Sequence, residues 1–338
     1  MKHFLVSTAL EETWESEAPL LFLGKWCLNP SQKYNWKNID FNILAYHWDD
    51  MNKLKSDEIF LENIYEKILE ELVDILNSLH SLDWDKRSWS IIIGVWLRRY
   101  ITILYDRYTL VHDALEKYDI EAVYCGTTDS CQLTPLDRNM FSESYKSDRW
   151  NYYLFSRIIR DTTDITVLDK DIEAVTDNAS SENPSVKPFS KFKALVKCFL
   201  RLQFIQKIIS FCSRNNNYYI YLPYLPRKID EIILNTKLGN FPFCFKADEP
   251  SLEFILNRKT RSKIKIQSSS DTIFEKYLKE LLPEFIPVVY IEKFNEILEI
   301  EKKSRFPERV KLIFTTIGIY TNDIFKVWVV RKIRNGAK

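Results

Sequence analysis

The chain has 338 residues, of which 46% are hydrophobic and 28% are charged, and its formal net charge is +1. These values predict a globular protein with room for two ordinary domains or one large α/β domain. A near-neutral charge gives no general attraction for nucleic acid, so the sequence predicts no nucleic-acid partner.

Short apolar runs alternate along the chain with longer segments of helical periodicity. This alternation predicts an α/β fold with a mostly parallel, Rossmann-like sheet and helices on both faces. The predicted strands are residues 4–9, 20–23, 42–46, 122–125, 218–222, 263–267, 287–289 and 311–315. The predicted helices are residues 57–78, 86–117, 148–161, 191–214, 228–236, 271–282, 292–303 and 322–334.

A segment rich in serine, proline and asparagine divides the chain. Residues 169–190 contain DNASSENPSVKPFS and lack apolar periodicity, which predicts a flexible linker loop. The linker separates an N-terminal α/β lobe, 1–168, from a second α/β segment, 191–338. That segment stops two residues after a predicted helix-capping glycine, Gly336, where a βα unit ordinarily continues into a strand. We therefore expect the second segment to be truncated.

Polar and aromatic side chains follow each of the first three predicted strands, in LVSTALEETW, LFLGKWC and YHWDD. Ligands of open parallel sheets bind outside the C-terminal ends of the strands, so we expect these side chains to meet at one edge. The predicted catalytic residues are Glu11, Glu12, His47, Asp49 and Asp50. The predicted substrate-binding residues at this edge are Thr8, Trp14, Lys25, Trp26 and Trp48.

This combination of side chains suits a sugar substrate. A carboxylate or a histidine can deprotonate a hydroxyl group, and an indole stacks on the apolar face of a pyranose ring. For each residue alone, the alternative is structural, with indoles in the core and acids at helix N-termini. The recurrence at three strand ends favours the substrate site. His47, Asp49 and Asp50 do not predict a metal site, because adjacent acids are poor chelators and the sequence shows no further ligand near them.

Three groups of basic residues are candidate anion contacts. Arg98 and Arg99, on the predicted helix 86–117, are predicted substrate-binding residues, and pairing with nearby acids is the alternative. The run LNRKTRSKIKI is predicted to be a solvated edge. The basic amphipathic helix 191–214 either covers a sheet or lies at a membrane surface, which leaves peripheral contact with a membrane open.

Glycine and cysteine usage exclude several kinds of site. The chain has 6 glycines, against roughly 24 at an average usage of about 7%, and none forms a phosphate-binding loop pattern. We expect no cofactor bound by this chain. The cysteines are widely spread, with no CxxC pair and no signal-peptide pattern, which is typical of reduced thiols in the cytoplasm. They are Cys27, Cys125, Cys131, Cys198, Cys212 and Cys244.

Several strings together resemble one family of proteins. These are the three strand-end strings, the helical IIIGVWL, and the terminal FPERVKLIFTTIGIYTNDIFKVW. The chain is similar to transferases of bacterial surface-polysaccharide and O-antigen gene clusters, most densely before residue 108 and after residue 306. Two positions depart from that family, since Lys25 replaces an acid and Val95 replaces a proline.

The resemblance implies a two-domain, glycosyltransferase-B-like enzyme, of which this chain is the N-terminal, acceptor-side part. It implies a nucleotide-sugar donor, with a CMP-linked keto sugar as one candidate, held by a further half. The expected partner is a glycan acceptor, free or lipid-linked, met in the cytoplasm or at the inner membrane face. The alternative is a non-catalytic glycan-binding or partner-binding module, a truncated relic of such an enzyme.

Overall fold

The computed structural model describes residues 2–15, 17–28, 39–127, 133–172, 217–238, 252–304 and 306–338. The chain forms two compact units, one of residues 1–173 and 252–295 and the other of residues 174–251 and 296–338. The first unit thus includes a returning segment, 252–295, which the predicted division at residues 169–190 assigns to the second α/β segment. The predicted linker from residue 173 onward and the predicted helix 191–214 lie outside the described residues.

The first unit is built around a parallel sheet. Its strands are β1 His3–Val6, β2 Leu20–Phe22, β3 Phe41–Ile43, β4 Ile120–Cys125 and β5 Thr166–Asp169. Their order in the sheet is β3-β2-β1-β4-β5, and every neighbouring pair is parallel. All side chains of β1 and β2 are buried, as expected for a parallel sheet flanked by helices. This confirms the predicted Rossmann-like α/β fold.

Helices make up most of the remaining described structure. They are α1 Met51–His80, α2 Lys86–Trp89, α3 Val95–Lys117, α4 Arg138–Ser144, α5 Asp148–Thr162, α6 Lys228–Lys237, α7 Arg258–Arg261, α8 Ile273–Phe285, α9 Val288–Ile291, α10 Phe294–Lys303, α11 Gly318–Thr321 and α12 Asp323–Arg334. In the described parts of the chain, none of these helices has both the length and the apolar character that crossing a bilayer requires.

Helix α3 continues from α2 through one π-helical turn, Ser90–Gly94, as the predicted helix 86–117 requires. Gly94, at the end of this turn, faces α1. A Cβ atom at this position would lie 2.6 Å from the hydroxyl oxygen of Tyr65, so the absence of a side chain allows the two helices to approach closely.

Two predicted strands are wrong. Residues 263–267 form a turn and irregular chain after α7, and residues 287–289 enter the short helix α9. The backbone N–H groups of Val288 and Val289 donate to the carbonyl oxygens of Pro135 and Leu136 (3.0 and 2.9 Å). Periodicity does not distinguish a short buried strand from one buried helical turn. Strand β5 and helix α4 were not predicted at all.

The second unit contains β6 Tyr218–Tyr221 paired in parallel with β7 Leu312–Thr315. Trp328 of α12 is buried against this sheet, with its ring centroid 5.0 Å from those of Tyr219 and Phe306. The C-terminal residue, Lys338, exchanges two backbone hydrogen bonds of 2.8 Å with the outer edge of β7, in the pattern of a parallel strand.

Both predicted end signals of the last helix are confirmed. The Asn322 side chain accepts from the backbone N–H of Phe325 at 2.8 Å and caps the start of α12. Gly336 has φ of +92°, and the N–H of Ala337 donates to the carbonyl of Lys332. These are the conformation and the hydrogen bond that end a helix at a C′ glycine.

A buried ion pair holds the returning segment together. Arg261 is 4% exposed and donates through Nε and Nη2 to the two carboxylate oxygens of Glu292 (2.7 and 2.8 Å). Its Nη1 donates to the carbonyl oxygens of Pro283 and Ile286 (2.9 and 2.7 Å). The predicted solvated edge is therefore wrong at Arg261. It holds for the four other basic residues of the run, which are exposed, namely Arg258, Lys259, Lys263 and Lys265.

Replacing Glu292 with glutamine should strongly destabilise the first unit. The Glu292→Gln change leaves the Arg261 guanidinium buried without a balancing charge, and breaking a buried pair in this way costs about 3–5 kcal/mol. Urea unfolding followed by tryptophan fluorescence measures the change. The exposed Lys259→Met variant is the control and should stay within about 0.5 kcal/mol of wild type. Equal effects of the two variants would contradict the assigned role of the pair.

Candidate functional site

The order of strands reverses between β1 and β4, because β2 and β3 lie on one side of β1 while β4 and β5 lie on the other. Open parallel sheets bind ligands outside the C-terminal ends of their strands, at such a reversal. The residues that follow the first four strands therefore form the candidate site. We call them the strand-end edge, which comprises residues 7–14, 24–27, 46–50 and 126–127.

The loop after β1 contains buried polar atoms without a partner. Thr8 is fully buried, and neither its Oγ1 nor Oε1 of Glu11 has a hydrogen-bond partner among the described residues. Burial raises the pKa of Glu11, because its carboxylate loses hydration there. The next residue, Glu12, is exposed. Buried polar atoms are ordinarily satisfied by protein, water or ligand, so Glu11, which is only partly buried, is the strongest candidate for a ligand contact in this loop.

Trp14, predicted to contact substrate, lies in the core instead. Its side chain is 8% exposed, and its ring centroid is 5.0 Å from that of Phe22 in β2. The indole N–H donates to the carbonyl oxygen of Thr8 at 3.1 Å. Trp14 thus supports the loop after β1 from the core side, and its ring has no exposed face for a ligand.

Trp26, in the 3₁₀ turn Lys25–Cys27 after β2, is the exposed aromatic residue of the strand-end edge. Its side chain is 39% exposed, and its indole N–H donates to the carbonyl oxygen of Ser7 at 3.1 Å. The ring lies over Gly24, where a Cβ atom would be 2.0 Å from Cζ3 of the indole. Trp26 is therefore a fixed aromatic surface that remains accessible. The neighbouring Lys25 is exposed.

Cys27 completes this turn and faces the interior. Its Sγ lies 3.7 Å from the carbonyl oxygen of Val6, and its side chain is fully buried. Burial raises the pKa of the thiol to about 12. A thiol with that pKa stays protonated and is a poor nucleophile, so Cys27 contributes to packing.

His47, after β3, is buried in a polar network. Its ring is 1% exposed, and Nε2 lies 2.9 Å from Oδ1 of Asp106 in α3. The hydroxyl of Tyr46 also bonds to Asp106, and burial together with that carboxylate raises the pKa of Tyr46. Nδ1 of His47 is buried and has no partner among the described residues. His47 thus joins the loop after β3 to helix α3.

The other predicted residues after β3 have structural partners or face solvent. Asp50 caps α1 by accepting from the backbone N–H of Asn52 at 2.8 Å. The indole N–H of Trp48 donates to Oδ2 of Asp57 at 2.9 Å. Asp49 is exposed. The hydrogen bonds of Asp50 and Trp48 account for those two side chains without a ligand.

Arg107 of α3 lies beside the strand-end edge, although the sequence pattern does not predict it as a residue of this site. Its Nε donates to Oδ1 of Asn151 in α5 at 3.0 Å, and its Nη1 donates to Oδ2 of the adjacent Asp106. The guanidinium carbon lies 5.8 Å from the ring centroid of Trp26 and 5.7 Å from that of Phe155. The guanidinium group, held in this way, places a positive charge beside the indole ring of Trp26.

Arg98 and Arg99, the predicted anion contacts, have other neighbours. Arg98 forms an ion pair with Glu62 of α1, and its guanidinium carbon lies 4.0 Å from the ring centroid of Tyr65. The guanidinium carbon of Arg99 lies 6.0 Å from the ring centroid of Tyr145. Both side chains are exposed and about two helical turns from Arg107, a distance of roughly 12 Å along α3.

The residues that follow β4 lie on the other side of the strand reversal from the loops after β2 and β3. The N–H of Gly126 donates to Oγ of Ser156 at 3.0 Å, and a Cβ at this glycine would lie 2.6 Å from the Tyr153 ring. The N–H of Ala9 donates to Oδ1 of Asp148 at the start of α5, over a long 3.5 Å. Helix α5 therefore begins beside the loop after β1. Residues 128–132, including Cys131, lie outside the described residues.

The structure therefore brings together Glu11 and Thr8, Trp26, and the His47–Asp106–Arg107 network. In the sequence, Asp106 and Arg107 are adjacent residues of opposite charge on a largely apolar predicted helix, and this is the feature that points to them. Chemically, the strand-end edge offers a carboxyl group with a raised pKa, an aromatic surface and a guanidinium group. Within the described residues, no three or more His, Cys, Asp or Glu side chains form a metal-binding group.

A Gly24→Ala change should displace the Trp26 ring. The added methyl group would overlap the indole, so the ring must move and lose its hydrogen bond to Ser7, at a cost of about 0.5–1.5 kcal/mol. The indole N–H signal of Trp26 in a ¹⁵N-tryptophan spectrum, identified through Trp26→Phe, should shift and exchange faster with solvent. Lys25→Ala, at the exposed next position, should leave the signal in place. An unmoved signal in Gly24→Ala would contradict the described ring position.

One of three comparisons with known proteins found a match. The comparison with curated proteins found no significant match, and the comparison with solved structures found none. A model of the family described as LIC12162 family transferase matches residues 3–338, which is nearly the whole chain. The match spans all the elements that form the strand-end edge. This chain belongs to the LIC12162 family of transferases.

Proposed function

We propose that this transferase moves a sugar from a nucleotide-activated donor to a hydroxyl group of a glycan acceptor, and that this chain supplies the acceptor side. The observation that carries the proposal is that one loop contacts Trp26 and contains Glu11. The loop after β1 fixes the indole through the carbonyl of Ser7, and Oε1 of Glu11 in the same loop has no partner among the described residues. We place the sugar ring on Trp26 with one of its hydroxyl groups at the Glu11 carboxylate.

Glu11 would act as the general base. The acceptor oxygen forms a bond to the anomeric carbon of the donor sugar, and the bond from that carbon to the nucleotide phosphate oxygen breaks. The acceptor proton passes to the Glu11 carboxylate, and the nucleotide leaves with the bonding electrons. A raised pKa suits this task, because a base works best when its pKa approaches the operating pH.

The other strand-end residues would have supporting roles. The Thr8 hydroxyl is buried without a partner, and because the residue is fully buried we assign it to the support of the loop after β1. His47 is 1% exposed, so we assign it to positioning Asp106 rather than to contacting the acceptor. Glu12 and Asp49 are exposed and Asp50 caps a helix, and none of the three is part of the proposed mechanism.

The pathway and the donor are further parts of the proposal. The resemblance of the sequence to transferases of surface-polysaccharide and O-antigen clusters supports assembly of a surface glycan. We propose a glycosyltransferase-B-like arrangement in which a further half holds the nucleotide sugar, with a CMP-linked keto sugar as the first donor to test. The acceptor would be a glycan, free or lipid-linked, used at the inner face of the membrane.

The Glu11→Gln variant tests the proposal. Glutamine keeps the shape of the side chain but cannot accept the proton, so the transfer rate should fall by about 10²- to 10⁴-fold. The protein as its gene encodes it is incubated with acceptor glycans and a panel of nucleotide sugars, including CMP-linked keto sugars. Acceptor-dependent release of the free nucleotide measures turnover.

Glu17→Gln is the matched control, because Glu17 is an exposed glutamate of the same region. It should turn over like wild type. Equal rates for Glu11→Gln and Glu17→Gln would remove Glu11 from the mechanism. Glycan binding without release of any nucleotide would favour the alternative, a glycan-binding module without catalysis.

The raised pKa of Glu11 also predicts how stability depends on pH, with no substrate needed. The folded protein holds the Glu11 proton more tightly than the unfolded chain does. The resulting stability is complete below the ordinary pKa of 4.5 and is lost as pH rises through the raised value. Glu11→Gln should therefore gain stability relative to wild type as pH rises above 4.5.

Thermal unfolding of both proteins across this range measures the effect, with Glu17→Gln as the reference for an exposed glutamate. The unfolding temperature of Glu17→Gln should follow that of wild type at every pH. A constant difference between Glu11→Gln and wild type would mean that burial does not perturb the carboxyl group.

A further inference from the structure

The guanidinium group of Arg107 is held by acceptors on two helices. Its Nε donates to Oδ1 of Asn151 at 3.0 Å, and its Nη1 donates to Oδ2 of Asp106. Asn151 is buried in α5, and the Asp106 side chain is 5% exposed in α3. Two elements of the scaffold thus fix the plane of this guanidinium group.

Aromatic rings restrict the same group further. The guanidinium carbon lies 5.8 Å from the ring centroid of Trp26 and 5.7 Å from that of Phe155. The side chain of Arg107 is still 21% exposed. Arg107 is therefore fixed in position while remaining accessible from solvent.

The Nη1 and Nη2 end of the guanidinium group has hydrogen-bond donors that these contacts do not use. Arginine carries five N–H groups, and the contacts to Asn151 and Asp106 use two of them. Among the described residues, no acceptor takes the hydrogens of Nη2. A guanidinium edge that is fixed and accessible is suited to a bidentate contact with an oxyanion.

We propose that Arg107 binds an oxyanion, a phosphate or a carboxylate, carried by the sugar that lies against Trp26. This inference rests on the proposed function, because it takes the Trp26 ring as the surface on which the sugar stacks. It narrows the substrate class to anionic sugars, either phosphorylated sugars or sugar acids. Arginine is better suited than lysine here, since a planar fork matches two oxygen atoms of one oxyanion.

The test compares sugars that differ in charge. Binding of glucose 1-phosphate, glucuronic acid and glucose to the wild-type protein is followed through the ¹⁵N indole signal of Trp26. At least one of the anionic sugars should bind about tenfold or more tightly than glucose, as hydrogen bonds to a charged group predict. The two anionic probes separate a phosphate ligand from a carboxylate ligand.

Arg107→Lys keeps the charge but loses the fork, and should weaken binding of the preferred anionic sugar by about tenfold. Its binding of glucose should be unchanged. Arg227→Lys, at an exposed arginine of the second unit, is the control and should bind like wild type. The chemical shifts of the other indole signals verify that Arg107→Lys is folded.

Competition in the wild-type protein gives a second measurement that needs no variant. Inorganic phosphate should displace glucose 1-phosphate if that is the preferred sugar, and acetate should displace glucuronic acid if that binds better. Equal affinity for glucose and both anionic sugars would overturn the inference, as would unchanged anion binding in Arg107→Lys. The assay needs no turnover, so a failed anion site and a failed Glu11 mechanism give different results.

Discussion

The burial of β1 and β2 on both faces is the constraint on which the candidate site depends. On one face of the sheet their side chains form an apolar cluster in which Phe4 and Phe22 pack with Trp14 of the following loop. Parallel strands between helices leave no solvent face, and their backbone groups are satisfied within the sheet. Reactive groups are thereby restricted to the loops at the strand ends. The first polar residues after β1, Ser7 and Thr8, stand at that point.

Asp106 extends the same scaffold into the site. A buried carboxylate is costly unless donors surround it, and Asp106 meets this need through His47, Tyr46 and Arg107. These bonds connect α3 with the loop after β3 and, through Arg107, with Asn151 of α5. The interactions that hold three elements together are therefore the ones that place a cation beside an indole.

The returning segment shows how buried charge fixes a distant part of the chain. Arg261 with Glu292, and Lys279 with Glu275 (2.8 Å), are ion pairs shielded from solvent. Lys279 also donates to Oγ of Ser268 at 2.9 Å. Each charge is compensated locally, and a shifted register would leave one of them unpaired at a large cost. Such pairs specify one arrangement, whereas an apolar core tolerates several.

The sequence by itself determined the class of fold, the main helices and the loops in which the site lies. Strand and helix periodicity act over a few residues, and so do the end signals at Asn322 and Gly336. The position of polar residues after the first three strands followed from the same local pattern. The same local pattern therefore predicts Thr8, Glu11 and Trp26 as residues of the site.

Only the tertiary structure decided which of these side chains act together. Trp14 and Trp26 are both tryptophans that follow buried strands, yet one packs in the core and the other remains exposed. Trp14 packs on Phe22 and bonds to the Thr8 carbonyl within its own loop, whereas Trp26 reaches from the next loop to the carbonyl of Ser7. Arg107 joins the site through contacts between residues far apart in the chain, which no local pattern encodes. Burial and hydrogen bonding across distant segments are properties of the folded chain.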